Sequence, residues 1–114
     1  MVLKRLDTVC LMVKDIERAG CWYEKSLDLK EVFRGNGYRV LAPEAGGVPI
    51  TLEEGVPESG GSYPIFFVEN AEQVHDALKQ RGVKTSAVQT DKDNRFFDFW
   101  DPDGNRMQVC YYIE

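Results

Sequence analysis

Thr8-Val9-Cys10-Leu11-Met12-Val13-Lys14-Asp15-Ile16-Glu17-Arg18-Ala19 decides the architecture, because its hydrophobic period changes partway through. The apolar run from Leu6 to Val13 reads as a strand. After Lys14-Asp15, apolar residues return at helical spacing as Ile16, Ala19, Gly20, Tyr23 and Leu27. Asp15 supplies the oxygen that caps the new helix, and Glu17, Arg18, Glu24 and Lys25 cover its wet side.

The same sentence is written a second time. Tyr63 to Val68 is a short apolar strand, followed by Glu69-Asn70, then Ala71, Val74, Ala77 and Leu78, with Gly82 closing the helix. Asn70 and Gln73 have capping-box spacing. A shift of 55 carries Val13 onto Val68, Asp15 onto Asn70, Glu17 onto Glu72 and Thr8 onto Tyr63. Two copies of one unit are therefore expected.

Three strand-like segments follow each helix. In the first copy they fall at about 30–34, 38–42 and 48–54, with the hairpin signal Gly35-Asn36-Gly37 between the first two. In the second they fall at about 83–89, 95–100 and 106–113, where Asp101-Pro102-Asp103-Gly104-Asn105 makes the turn. The linker is expected at about 55–62, where Pro57, Gly60 and Gly61 break the pattern. The fold class is α+β: one domain over 1–114, built from βαβββ modules at about 1–54 and 63–114. One such copy cannot cover both faces of its sheet, so two must pair, within a chain or across a dimer.

Composition narrows the function classes. The chain has 114 residues, enough for one compact domain, and no apolar run long enough for a membrane span. The absence of a secretion-signal pattern points to a soluble, cytoplasmic protein. Net charge is −5 and the Lys and Arg residues are scattered, so no nucleic-acid partner is expected. Cys10, Cys21 and Cys110 are too few and too dispersed for a disulfide framework. Cys10 and Cys110 read as buried, inert thiols; the alternative is a zinc site formed by both with Glu53. His75 has Glu72 and Lys79 at helical spacing and reads as a solvated helix residue.

Residues two apart on a strand share a face, which separates pocket from core. Val9, Leu11 and Val13 suit the side under the helix, leaving Thr8, Cys10 and Met12 on the other. By the same division Thr51 and Glu53, Tyr63, Ile65 and Phe67, Phe96 and Asp98 (with Trp100 at the end), and Gln108, Cys110 and Tyr112 face a concavity. Ile50, Leu52, Phe97 and Phe99 support the helices. The resulting surface is aromatic, with carboxylates at Glu53 and Asp98. It suits an aromatic or amphipathic, positively charged organic ligand; core filling is the plainer account of the rings.

The chain resembles the glyoxalase, bleomycin-resistance and extradiol-dioxygenase superfamily, the vicinal oxygen chelate fold. The resemblance is carried by Val13-Lys14-Asp15-Ile16-Glu17-Arg18-Ala19, Trp22-Tyr23, Leu27-Asp28-Leu29, and Arg95 to Asn105, read as Arg-Phe-Phe-Asp-Phe-Trp-Asp-Pro-Asp-Gly-Asn. It implies a curved mixed sheet around a cleft and a homodimer. It also implies four metal-ligand positions, falling here on Thr8, Tyr63, Gln108 and Thr51, where a slip of two residues would put the last on Glu53 instead. Divalent transition ions favour imidazole, carboxylate or thiolate donors, which these four lack. No metal, no cofactor and no catalytic residue are therefore expected. The favoured function is metal-free sequestration of a small organic ligand, as in antibiotic resistance. The alternative is a lyase or dioxygenase-like enzyme using an atypical metal site or a carboxylate base, Glu53 or Asp98.

Overall fold

The computed structural model describes residues 2–57, 61–92 and 94–113. The chain divides into two compact units, 1–57 and 58–114, each a mixed sheet with one helix on one face. The expected linker includes 58–60, which lie outside the described residues.

The first unit runs β1 (Val9–Val13), α1 (Ile16–Leu27), β2 (Leu29–Gly35), β3 (Tyr38–Pro43) and β4 (Ile50–Glu54). Its sheet order is β1-β4-β3-β2, with β1 and β4 parallel and the remaining pairs antiparallel. The Asp15 carboxylate accepts from the backbone N–H of Glu17 and Arg18, so the chain leaves β1 directly into α1. Asp28, left-handed at φ 58°, ends the helix. Asn36-Gly37 closes the β2–β3 hairpin, and Gly37 takes the positive φ of 81° that this turn needs.

The second unit repeats the plan with β5 (Ile65–Phe67), α2 (Ala71–Gln80), β6 (Lys84–Thr85), β7 (Gln89–Asp91), β8 (Asn94–Trp100) and β9 (Arg106–Tyr111). β5 is parallel to β9, which is antiparallel to β8, and β6 and β7 both pair with β8. Asn70 caps α2 by accepting from the Gln73 N–H. Asp101 is buried and holds the β8–β9 turn: Oδ1 accepts from the N–H groups of Asp103 and Asn105, and Oδ2 from the Asn105 amide.

Each unit buries one sheet face under its helix. In the first, Val13, Leu41, Ile50 and Leu52 lie beneath Ile16, Ala19 and the wholly buried Tyr23 of α1. In the second, Phe97, Phe99, Met107 and Val109 lie beneath Ala71 and Leu78 of α2. Each such side chain contributes about 1.5–3 kcal/mol by leaving water, and the strand period fixes which residues do so.

Several boundaries differ from the sequence expectation for identifiable reasons. β1 starts at Val9 rather than Leu6 because its partner β4 starts at Ile50, opposite Val9, and Leu6 is left exposed. β5 starts at Ile65 because Pro64 has no N–H for the ladder. The single strand expected at 83–89 is two short ones. Between them the Ser86 hydroxyl, not a backbone carbonyl, accepts from the Asp98 N–H. His75 is not solvated: Nε2 lies 2.9 Å from the Ser86 carbonyl oxygen, and its ring packs edge-on against Phe97 at 4.9 Å. Among the described residues no helix is long and apolar enough to cross a membrane.

Candidate functional site

The face turned away from α1 is built from alternate residues of β1, β4 and β3. The register sets Cys10 beside Thr51, Met12 beside Glu53, Glu53 beside Tyr38 and Thr51 beside Val40. The Thr8 hydroxyl donates to the Pro49 carbonyl at 3.0 Å, and its oxygen lies 2.8 Å from that of Thr51. With the Thr8 proton committed to Pro49, Thr51 is the donor between the two hydroxyls. The Cys10 thiol donates to Glu53 Oε2 at 3.2 Å. Its pKa is pushed up to about 11 by desolvation first, then by that hydrogen bond and by the Glu53 charge, so the thiol stays protonated near neutrality. Cys10, expected to be buried, is exposed; Cys110 is partly buried, and burial raises its thiol as well.

The face turned away from α2 has two ends of different character. Phe67 and Ile65 of β5 are 44% and 54% exposed, and Phe67 packs against Tyr112 edge-to-face at 5.0 Å. Across the ladder, Phe96 and Phe67 both flank Cys110. Further along, Ile65 and Asp98 both flank Gln108, and the Gln108 amide donates to Asp98 Oδ1 at 3.0 Å. Asp98 Oδ2 accepts from Arg106 at 3.0 Å. The Arg106 guanidinium then lies 4.0 Å over the ring of Tyr63. One end is apolar and aromatic, the other a polar chain of Gln108, Asp98, Arg106 and Tyr63.

The register also settles which residue of β4 is the counterpart of Gln108. Cys10 and Ile65 are repeat partners at the 55-residue shift; Cys10 is opposite Thr51 and Ile65 is opposite Gln108. Thr51, not Glu53, therefore corresponds to Gln108. The four positions at which the resemblance implies metal ligands are thus two hydroxyls bonded to each other, a phenol under a guanidinium, and an amide engaged by a carboxylate. This donor set does not fit a divalent transition ion: all four groups are neutral, and a fixed cation already covers Tyr63. Among the described residues, no three His, Cys, Asp or Glu side chains are grouped to hold a metal.

Sequence reasoning missed Arg106 and Tyr38. Alternation from Gln108 puts Arg106 on the outer face, while its contact with Tyr63 is set by the side chain's own path. Asp98 lies on the expected face, but it is 22% exposed in its side chain and paired with Arg106. Glu53 is exposed, so it is the more accessible of the two carboxylates.

Comparison with known proteins agrees with this architecture. A family model described as Glyoxalase/Bleomycin resistance protein/Dioxygenase superfamily matches residues 5–109. TnmS3, an antibiotic-binding protein from Streptomyces sp. CB03234, is 20% identical with a TM-score of 0.85, covering 99% of both chains. The genomically encoded fosfomycin resistance protein FosX of Listeria monocytogenes is 17% identical with a TM-score of 0.83, over 98% of this chain and 96% of that one. A superfamily member from Sphaerobacter thermophilus is 18% identical with a TM-score of 0.85, over 97% and 99%. At these identities the likeness establishes the fold. No curated protein matches the sequence.

Proposed function

This chain belongs to the glyoxalase/bleomycin resistance protein/dioxygenase superfamily, and from that premise we propose that it is a metal-free binding protein that sequesters an aromatic or amphipathic organic molecule without altering it. The observation that carries this reading is the donor set: Thr8 and Thr51 satisfy each other, Gln108 is engaged by Asp98, and Arg106 covers Tyr63. A scaffold whose cation positions are spent in this way binds by shape, rings and hydrogen bonds. Exposed Phe67, Ile65 and Tyr112 offer the apolar contact, each ring contributing on the order of 1 kcal/mol. An antibiotic-like ligand is the class suggested by the Streptomyces neighbour, which is described as antibiotic-binding. On the first unit, the exposed Glu53 carboxylate would favour a ligand carrying positive charge. The ligand-bound protein is proposed to be a cytoplasmic homodimer, testable by light scattering.

The test is thermal melting against a panel of amphipathic aromatic compounds, followed by recovery of any that bind. Saturating ligand should raise stability by about 2.7 kcal/mol at a hundredfold excess over Kd, and the compound should return unaltered. Recovery of a converted product would overturn the reading. It would favour the second one, an enzyme of the same superfamily, for which the exposed Glu53 carboxylate beside the Cys10 thiol is the available base.

A further inference from the structure

Three strands of the second unit bring a cation, a ring and a second cation into one row. Lys84 of β6 is directly opposite Trp100 of β8, and Trp100 is directly opposite Arg106 of β9. Directly paired residues share a sheet face. The next pair along, Thr85 and Phe99, faces α2: Thr85 Oγ1 is 3.3 Å from His75 Nε2, and Phe99 is buried. Lys84, Trp100 and Arg106 therefore all stand on the face turned away from the helix. That face is the one bearing Asp98 and Gln108.

The charges are held rather than loose. Lys84 Nζ lies 5.2 Å over the Trp100 ring, and the Arg106 guanidinium lies 4.0 Å over Tyr63. Both cations are thus anchored on aromatic faces that leave their outer N–H groups available. The acidic group beside Arg106 is Asp98, which pairs with the guanidinium at 3.0 Å and is further occupied by Gln108, while Asp91 stands on the same face at the far end of β8, opposite Asn94. In the row at Trp100 itself the Asp98 carboxylate stands against Lys84 and Arg106, so the row carries a net positive charge in a chain whose net charge is −5. Both cations flank Trp100 in the ladder, Lys84 lying on its ring and Arg106 on that of Tyr63.

We propose that this row is the recognition site for an oxyanion carried on an aromatic ring: the ring stacks on Trp100, and a carboxylate accepts from Lys84 and Arg106. Backbones two strands apart are separated by about 10 Å, a span that Lys84 and Arg106 bridge when the Arg106 side chain turns from Tyr63 towards a carboxylate between them. The proposal rests on the binding reading above and deepens it, adding a negatively charged group to the ligand held by the second unit. Arg106 holds the anionic end, Lys84 steers and supplements it, and the Phe67–Tyr112 end of the same face takes further apolar bulk.

The test uses three probes that share one ring system and differ in charge: 2-naphthoate, 2-naphthalenemethanol and 2-naphthylmethylammonium, titrated by calorimetry with amide shifts followed by NMR. Naphthoate should bind about tenfold or more tightly than the other two, weaken as salt is added, and shift amides at Lys84, Trp100 and Arg106. Lys84→Gln, an exposed change that leaves the core intact, should weaken naphthoate about fivefold and leave the neutral probe within about twofold. Arg106→Gln should weaken naphthoate further. Equal binding of all three probes, or preference for the ammonium, would overturn the proposal and leave the binding function standing. If no probe binds, the proposal falls, and the binding reading is decided separately by the melting panel.

Discussion

The guanidinium of Arg106 lies 4.0 Å over the ring of Tyr63 and pairs with Asp98 at 3.0 Å, so a side-chain cation covers one of the positions at which the resemblance implies a metal ligand. The arrangement gives the second unit a fixed positive charge that needs no bound ion. Its chemistry is hydrogen-bond donation and charge pairing.

The Asp98–Arg106 pair is partly open to solvent, with Arg106 44% and Asp98 22% exposed, so its worth to stability is small. Asp98→Asn should cost about 0.5–1 kcal/mol in urea unfolding, and a double-mutant cycle with Arg106→Gln should return a coupling of similar size that shrinks in salt. A coupling of several kcal/mol would mean that the pair is far less solvated than its exposure indicates.

Arg39 is the contrasting case. It is buried on the helix side of β3, where alternation calls for an apolar residue, and its guanidinium donates to the Gly35 and Tyr38 carbonyls while pairing with Glu17 and Glu31. Arg39→Ala should destabilise the protein by about 3 kcal/mol, because it strands both carbonyls and removes the packed stem. Glu17→Gln, which keeps a hydrogen-bonding partner at an exposed position, should cost about 1 kcal/mol or less by the same measurement.

Cys10 predicts a pH dependence. Its folded-state pKa is raised to about 11 from an ordinary 9.0, so the folded protein holds this proton at pH values where the unfolded chain has lost it. The stabilisation is full below pH 9 and is lost as pH rises towards 11. Glu53→Gln removes the neighbouring charge, so alkylation of Cys10 by iodoacetamide at pH 8.5 should accelerate. An unchanged rate, followed by mass spectrometry of the Cys10 peptide, would contradict the Cys10–Glu53 contact.

Asp101 predicts a turn-specific loss. Its buried carboxylate satisfies two backbone N–H groups and the Asn105 amide, so Asp101→Ala should cost about 2–3 kcal/mol. Hydrogen exchange should quicken first at the ends of β8 and β9.

Much of this was legible in the sequence because it depends on short-range periodicity. Period-two alternation separated Val13, Leu52, Phe97 and Phe99 from the outer face, and the caps Asp15 and Asn70 marked both helix starts. Tertiary partners were not legible. Arg106 folds back onto Tyr63 through its rotamer, which no spacing encodes, and a buried arginine at position 39 looks, in sequence, like a solvated one. The interruption between β6 and β7 depends on where the Ser86 hydroxyl meets the Asp98 N–H across the ladder, 12 residues away in the chain. His75 was misread for a related reason: its helical neighbours are charged, but Phe97 and Ser86 reach it from the sheet.

The most direct test of the central claim is metal content after loading. The purified protein is incubated with excess manganese, nickel or zinc, dialysed, and assayed for bound ion by elemental mass spectrometry. No ion should remain at a stoichiometric level. One ion per chain, retained through dialysis and lost in Gln108→Ala, would contradict the account.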